Sequence, residues 1–259
     1  MINGIEELCA AGGGSIDADT ITGPRSYEAA LRAAGASVEA TERLLEGEAS
    51  FAFCGLRPPG HHAEGGRPMG FCLFNNVAIG AAHAIAACGT ERVMIIDWDV
   101  HHGNGTQNIF YDSEKVLFVS IHQSPLYPGT GAAAETGSGA GTGYTINLPV
   151  PPGSGRDLYL SLIEDVVVPR VAEFRPGLLA ISAGFDAHRD DPLADCMLDT
   201  GDYGEMAALI GVAAAELGIG ILVTLEGGYA PAALAASVSA TIGALTDPSS
   251  ALSPPAAPS

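Results

Sequence analysis

Residues 93–102 read Val-Met-Ile-Ile-Asp-Trp-Asp-Val-His-His, and this stretch determines the fold that we expect. Its apolar first half has the length of a buried β-strand, and Asp97, Asp99 and His101 follow at its end. Because strand side chains alternate between faces, these three project to the same side. Two carboxylates and an imidazole together are costly to bury without a compensating positive charge. Since open α/β sheets bind ligands at the carboxyl ends of their strands, the stretch predicts a metal site.

Apolar, mostly β-branched segments alternate with segments of helical length along the chain. The predicted strands are residues 51–56, 92–99, 116–122, 144–149, 177–182 and 220–225. The predicted helices are residues 26–46, 75–88, 158–174, 202–217 and 231–245. This alternation is typical of a mostly parallel sheet with helices on both faces, so the predicted fold class is three-layer α/β/α. We expect one domain over residues 1–246 and a disordered tail, rich in Pro, Ser and Ala, over residues 247–259.

The composition describes an acidic globular chain. Of its 259 residues, 47% are hydrophobic and 16% are charged, so a sizeable core can form. The formal charge of −19 argues against nucleic acid as a partner. The same charge suits a cationic substrate, such as a lysine-rich tail or a polyamine, or it serves solubility alone. The sequence leaves both interpretations open.

Other features predict a cytoplasmic protein with no membrane partner. The five cysteines are odd in number and lack a Cys-x-x-Cys pair, which is typical of reduced core residues. The N-terminus has neither the basic nor the apolar region of a signal peptide. The longest apolar runs are shorter than the roughly 20 residues that a membrane span needs. The sequence does not specify the oligomeric state, and an oligomer is compatible with it.

Four loops that follow predicted strands are rich either in ionisable side chains or in glycine and proline. They are residues 57–70, 123–143, 186–198 and 226–229. Loops on one rim of a rigid sheet are where function concentrates, so these four indicate a single site. Asp186 ends one strand and joins Asp99 and His101 as a candidate ligand. Two carboxylates and one imidazole leave coordination positions open, as a catalytic divalent metal requires. Asp99 or Asp186 alone would be better explained as a residue that caps a strand. Because both lie at the ends of strands, the metal-ligand interpretation is favoured instead.

The other candidates are weaker when each is taken alone. Histidine is the usual general base near neutral pH, yet His61 and His62 by themselves are better explained as solvent-facing loop residues. Asn104 could hold one of the two imidazoles. Tyr229 could donate a hydrogen bond to a developing oxyanion, although a Gly-Gly-Tyr turn is weak evidence. For Asp97 we expect His61 or a monovalent cation as the partner.

Together these segments resemble the signature set of the zinc-dependent histone deacetylases. They are most similar to the class II and bacterial histone-deacetylase-like amidohydrolase branch, in which Asn104 is typical. They occur in family order between about Ile5 and Leu245. The matching segments are Arg57-Pro-Pro-Gly-His-His-Ala63, Gly70-Phe-Cys-Leu-Phe-Asn75, Asp97-Trp-Asp-Val-His-His-Gly-Asn-Gly-Thr-Gln107, Ser182-Ala-Gly-Phe-Asp186 and Leu225-Glu-Gly-Gly-Tyr229.

The resemblance implies an arginase–deacetylase fold and hydrolysis of an acetyl-amide to acetate and a free amine. Asp99, His101 and Asp186 match the ligands of a catalytic zinc, for which iron is the alternative in the cell. Family members also bind potassium beside the zinc. The matching potassium positions in this chain are Asp97, Asp99, His101, Ser120 and Ile121.

The resemblance also implies roles for the catalytic side chains. His62 matches the general base that activates the zinc-bound water and later protonates the leaving amine. His61, paired with Asp97, matches its electrostatic partner, and Tyr229 matches the tyrosine that polarises the acetyl carbonyl. The positions that match substrate contacts are Gly70, Phe71, Tyr127, Leu193 and Asp19.

Three functions remain open on the sequence alone. An acetyl-lysine-type substrate is favoured, because Leu193 stands where eukaryotic polyamine deacetylases of this family carry a glutamate gatekeeper. An acetylpolyamine or another small molecule would use the same site. The chain lacks the family's usual N-terminal segment, so an inactive, truncated acetyl-ligand binder is the third. We expect this difference to leave a sheet edge or apolar surface uncovered.

Overall fold

Within residues 1–252, which the computed structural model describes, six parallel strands form the central sheet. A short antiparallel hairpin, β1 (Gly14–Ser15) and β2 (Ile21–Thr22), precedes them. The sheet strands are β3 (Phe51–Cys54), β4 (Val93–Asp97), β5 (Val116–Gln123), β6 (Thr145–Val150), β7 (Leu178–Ala183) and β8 (Ile221–Leu225). Their spatial order is β3-β8-β7-β4-β5-β6, so β4 lies between β7 and β5.

Helices cover both faces of this sheet. One face carries α2 (Ser26–Leu45), α3 (Asn76–Ala86) and α4 (Asn104–Phe110). The other carries α5 (Arg156–Leu162), a π-helical segment (Ile163–Val167), α6 (Val168–Phe174), α7 (Thr200–Leu217) and α8 (Pro231–Thr246). The N-terminal helix α1 (Ile2–Ala10) packs beside α2. This arrangement confirms the predicted three-layer α/β/α class.

The side chains of β4 explain why the sheet is buried on both sides. All five of its residues are buried. Val93 and Ile95 pack into the core under α2 and α3, whereas Met94 and Ile96 pack into the core under α7. This alternation is the period of two that a strand imposes on its side chains. A strand that is apolar on both faces lies in the middle of a parallel sheet, and its carboxyl end therefore lies at the centre of that sheet edge.

All six predicted strands are present, whereas several helices differ from the prediction. The helix predicted over residues 158–174 consists of α5, the π-helical segment and α6. Neither α1 nor α4 was predicted. The seven residues of α4 begin with Asn-Gly-Thr, which are weak helix formers, and tertiary contacts hold them in place. Gly105 in α4 lies so close to the Ala63 backbone that a side chain there would collide with it.

The C-terminal region differs in part from the predicted disordered tail. Its first residues form a short helix, α9 (Pro248–Ala251), which follows α8 directly. Pro248 packs against Gly211 of α7, at a position where a side chain on Gly211 would strike the proline ring. This contact explains how a Pro- and Ser-rich stretch can be ordered. The rest of the predicted tail, residues 253–259, lies outside the described residues. Over residues 1–252, none of the helices combines the length and the hydrophobicity of a membrane span.

Candidate active site

The three predicted metal ligands meet at the carboxyl ends of neighbouring strands. Asp99 and His101 follow β4, and Asp186 follows β7, which pairs with β4. His101 Nδ1 lies 3.1 Å from Asp99 Oδ1 and 3.1 Å from Asp186 Oδ2. Both carboxylates are fully buried, and His101 is only 9% exposed. Among the described residues, this trio is the one group of potential metal ligands whose donor atoms converge.

The geometry of this trio fits a single divalent metal ion. Ligand atoms about 2.0 Å from a tetrahedral zinc ion lie about 3.3 Å apart, close to the observed separations. If the two contacts were hydrogen bonds only, one His101 ring proton would be shared between two carboxylates. The outer oxygens are already engaged, because Asp99 Oδ2 accepts from the Gly227 N–H at 2.7 Å and Asp186 Oδ1 from the Val100 N–H at 2.9 Å. One potential donor atom from each of the three residues lies within 4.8 Å of the other two.

The electrostatics of the trio also favour a cation. Burial and the nearby Asp99 carboxylate raise the pKa of Asp186 to about 6. Two buried carboxylates side by side therefore carry a free-energy cost that a bound cation offsets. Gly227 belongs to this arrangement, since any side chain there would collide with both carboxylates.

The imidazole of His61 lies next to the carboxylates of Asp97 and Asp99. Its Nδ1 is 3.0 Å from Asp97 Oδ2, and its Nε2 is 3.8 Å from Asp99 Oδ1. Burial tends to lower the pKa of His61, but attraction to Asp97 and Asp99 outweighs it and raises the pKa to about 10. The attraction to these two carboxylates therefore favours the protonated form of the His61 imidazole.

His62 has the opposite environment. Its Nδ1 lies 2.8 Å from Asn104 Oδ1, so an amide and not a carboxylate is its partner. Burial, and then repulsion from the charged His61, lower the pKa of His62 well below its ordinary value. The two rings are 4.0 Å apart between centroids. The surroundings of these adjacent histidines therefore shift their pKa values in opposite directions.

Two residues that were quoted in the sequence motifs, but given no role, connect the catalytic loops: Glu226, which is fully buried, and Arg57, which is exposed. Glu226 Oε2 accepts hydrogen bonds from the Gly60 N–H at 2.6 Å and the His61 N–H at 3.1 Å. In the opposite direction, Arg57 Nη1 donates to the Glu226 carbonyl at 3.0 Å. The loop before His61 and the loop after β8 therefore hold each other. No sequence pattern indicates these contacts, because the partners lie more than 160 residues apart.

Tyr229 is held at the edge of the site by an aspartate that sequence reasoning also missed. The Tyr229 N–H donates to Asp191 Oδ2 at 2.7 Å, and the other oxygen of Asp191 accepts from the Leu193 N–H at 3.0 Å. Burial, with Asp99 and Asp186 nearby, raises the pKa of the Tyr229 phenol above its ordinary value. The phenol therefore stays protonated and available as a hydrogen-bond donor.

A cavity of about 230 Å³ leads from the surface to these groups. It is lined by Asp19, His62, Gly70, Phe71, His101, Leu126, Tyr127, Leu193 and Tyr229. All five positions that were assigned to substrate contact are therefore in its wall, and Leu126 is a lining residue that was not predicted. The rings of His62 and Tyr127 meet edge to face at 5.1 Å. A larger cavity, of about 600 Å³, lies at the start of α2 and contains none of the predicted site residues.

The predicted potassium positions are also buried near the trio. Asp97 and Ser120 face each other in the register of β4 and β5. Both are fully buried, as is Ile121. The Ser120 hydroxyl lies 2.9 Å from His122 Nδ1. Potassium binding itself stays a prediction.

The histone deacetylase domain model matches residues 2–245 of this chain. The chain belongs to the histone deacetylase family. It is 44% identical over 224 residues to a probable deacetylase of Archaeoglobus fulgidus, covering 86% of this chain and 62% of the relative. It is 43% identical over 227 residues to a histone deacetylase-like amidohydrolase of Pseudomonas aeruginosa, covering 87% and 60% respectively.

Solved structures agree with this membership. The crystal structure of the HDA15 HD domain matches with a TM-score of 0.90 and 39% identity, covering 94% of this chain and 68% of that one. The structure of an acetylpolyamine aminohydrolase from Burkholderia pseudomallei matches with a TM-score of 0.83 and 35% identity, covering 89% and 66%. The family and the α/β fold predicted from the sequence are confirmed. The chain spans about three fifths of the length of the two curated relatives.

Proposed function

We propose that this chain is a zinc-dependent deacetylase that hydrolyses an acetyl-lysine-type amide to acetate and a free amine. The observation that carries the proposal is the convergence of Asp99, His101 and Asp186 beside a cavity whose wall contains His62 and Tyr229. A ligand trio with open positions, a neutral imidazole and a protonated phenol are the components that amide hydrolysis requires. Family membership supports the same chemistry.

The trio would hold the metal, with zinc as the proposed ion and iron as its alternative in the cell. A divalent metal at this position supplies Lewis acidity toward the acetyl carbonyl and lowers the pKa of water. Potassium is proposed at the positions around Asp97 and Ser120, two buried residues that are paired in the register of adjacent strands. Each ion would offset part of the negative charge buried under the cavity.

The proton transfers are assigned to His62. As a neutral base, it takes a proton from the attacking water and then gives it to the leaving amine. His61, charged and paired with Asp97, stabilises negative charge that develops above it and keeps its own proton. The Tyr229 phenol donates a hydrogen bond to the carbonyl oxygen as that oxygen becomes negative. Asn104 orients His62 through the 2.8 Å contact.

The cavity wall is assigned to substrate binding. Phe71 and Tyr127 present aromatic surface to the aliphatic stem of an acyl-lysine side chain. The Gly70 carbonyl accepts the amide N–H of the substrate, Asp19 contacts its backbone at the rim, and Leu193 is the gatekeeper. An apolar gatekeeper favours a neutral stem over a second cationic centre.

A second candidate substrate is an acetylated polyamine or another small acetylated amine. The likeness to an acetylpolyamine aminohydrolase and the net charge of −19 support it. A chain that binds acetylated ligands without turnover is the third candidate. The cytoplasmic location and the absence of nucleic-acid and membrane partners remain our expectations.

The test is turnover of a fluorogenic acetyl-lysine peptide beside N-acetylputrescine, with the metal content of the purified protein measured and a hydroxamate as inhibitor. Preferred, hydroxamate-sensitive turnover of the peptide would support the proposal, and preference for acetylputrescine would favour the second candidate. Stoichiometric zinc without turnover of either would indicate another acyl substrate or a binder that lacks catalysis. Metal-free protein reloaded anaerobically with zinc or with iron would distinguish the two ions by their relative turnover.

A further inference from the structure

On one side of its side-chain amide, Asn104 meets groups that accept hydrogen bonds, and on the other side it meets a ring nitrogen of His62 that can donate or accept. Its Nδ2 lies 3.0 Å from Glu64 Oε1, 3.4 Å from Met69 Sδ and 3.5 Å from the His62 carbonyl. Its Oδ1 lies 2.8 Å from His62 Nδ1. The orientation of an amide follows from this kind of network, because its two ends differ in being donor and acceptor.

Glu64 is the acceptor that decides the orientation. A carboxylate can only accept, so turning the amide over would place Asn104 Oδ1 against Glu64 Oε1 and leave both without a proton. Thioether sulfur is a weak acceptor, and the contact to the His62 carbonyl is the longest of the three. A charge-assisted hydrogen bond at 3.0 Å outweighs both.

The orientation of the amide selects the tautomer of His62. With Asn104 Oδ1 facing it, His62 Nδ1 must carry the single ring proton of a neutral imidazole. The lone pair is then on Nε2. The Glu64 carboxylate also polarises the amide, which strengthens Oδ1 as an acceptor for the Nδ1 proton.

We infer that Glu64 is a positioning residue that acts through Asn104 to hold His62 in the tautomer whose Nε2 is unprotonated. The inference rests on the proposed function, in which His62 accepts a proton from water. Glu64 does not line the 230 Å³ cavity; it lines a separate cavity of about 330 Å³ together with Asn104. Substrate contacts should therefore be independent of Glu64.

The direct test is ¹⁵N NMR of histidine-labelled, zinc-loaded protein, in which the chemical shifts separate a protonated from an unprotonated ring nitrogen. His62 is identified by the signals that His62→Ala removes. In the parent protein we expect His62 as the Nδ1–H tautomer. Glu64→Leu should produce a substantial share of the Nε2–H tautomer, whereas Glu64→Gln, which keeps an acceptor oxygen, should retain the parent state.

The matched control removes the same charge from the same cavity without touching Asn104. Glu135 lines that cavity and bonds to Gln107 and to the backbone of its own loop. Glu135→Leu should leave the His62 tautomer unchanged. An unchanged tautomer in Glu64→Leu, or an equal change in Glu135→Leu, would overturn the inference. Should Glu64→Leu fail to fold, Glu64→Lys replaces it, because an ammonium group can only donate and should turn the amide over.

Kinetics supply the second readout. Loss of one charge-assisted hydrogen bond predicts a decrease in kcat of about tenfold for Glu64→Leu, with KM unchanged and most of kcat restored in Glu64→Gln. A change in KM alone would contradict a positioning role. If the parent protein has no turnover, the proposed function fails, yet the NMR experiment still decides whether Glu64 sets the tautomer.

Discussion

The floor and the rim of the cavity are built from different kinds of structure. Asp99 and Asp186, at the floor, are fully buried at the ends of adjacent strands, and backbone N–H groups hold their outer oxygens. At the rim, Phe71 is 41% exposed and Leu193 is 45% exposed, and both lie in loops. The register of the sheet therefore places the candidate metal ligands, while loops place the side chains at the rim. The reaction type and the substrate are separable properties of this molecule.

Among the variants at the cavity floor, we expect the largest effect from removal of one metal ligand. Asp186→Ala should abolish stoichiometric metal binding and, with it, all measurable deacetylation, because only two ligands of the trio remain. Metal content after dialysis is the measurement. Asp190→Ala, four residues along the same loop and exposed, is the control and should bind metal normally. Unchanged zinc in Asp186→Ala would refute the ligand set.

Removing the base should separate chemistry from metal binding within the floor. His62→Ala is expected to lower kcat by about 10²–10⁴-fold, the usual contribution of a general base, with zinc still bound. Steady-state kinetics and metal analysis of the same sample test this. His83→Ala, at a histidine on α3 that pairs with Glu42, should behave like the parent. Near-normal turnover of His62→Ala would remove its assigned role.

Tyr229 lies between the floor and the rim of the cavity, and its phenol can be removed without loss of the ring. Tyr229→Phe keeps the ring near Phe71 but removes one donor to the developing oxyanion, so kcat should fall by about 10²–10³-fold with little change in metal content. Tyr144→Phe makes the same chemical change at the residue before the edge strand β6 and should not alter kcat. If Tyr229→Phe had the kcat of the parent protein, the Tyr229 phenol would not be the group that activates the acetyl carbonyl.

The smallest expected effect is at the rim itself. Leu193→Glu should shift preference toward N-acetylputrescine by about fivefold, since a half-exposed charge pair contributes only about 1 kcal/mol. The ratio of kcat/KM for the two substrates is the measurement. Leu158→Glu adds the same charge at an exposed position on α5 and serves as the control. An equal shift in both variants would show a general charge effect and not a gatekeeper.

The same contrast explains what the sequence could predict. The six strands follow from apolar runs whose burial on both faces leaves little choice of structure. Asp99 and His101 follow from strand alternation, and Asp186 from the end of a neighbouring strand. Helix α4 escaped prediction because its residues have low intrinsic helix propensity and are held by contacts to the His61–His62 loop.

Rim and supporting residues were harder to predict for a physical reason. Asp19 and Leu193 were assigned by resemblance alone, since nothing in a loop's periodicity places its side chains. Glu64, Asp191 and Glu226 act on backbone groups or amides that are distant in sequence. Their positions depend on the completed fold, so no local pattern could have revealed them.

The mutual contacts of Arg57 and Glu226 have a consequence for heat inactivation. Each of the two loops supplies part of what keeps the other closed, so neither can open without the loss of hydrogen bonds in both. The amide protons of Gly60 and His61 should therefore exchange with solvent in one cooperative event, together with the loop that carries Tyr229. On heating, base and phenol would be disabled together, at a temperature below that at which the sheet melts.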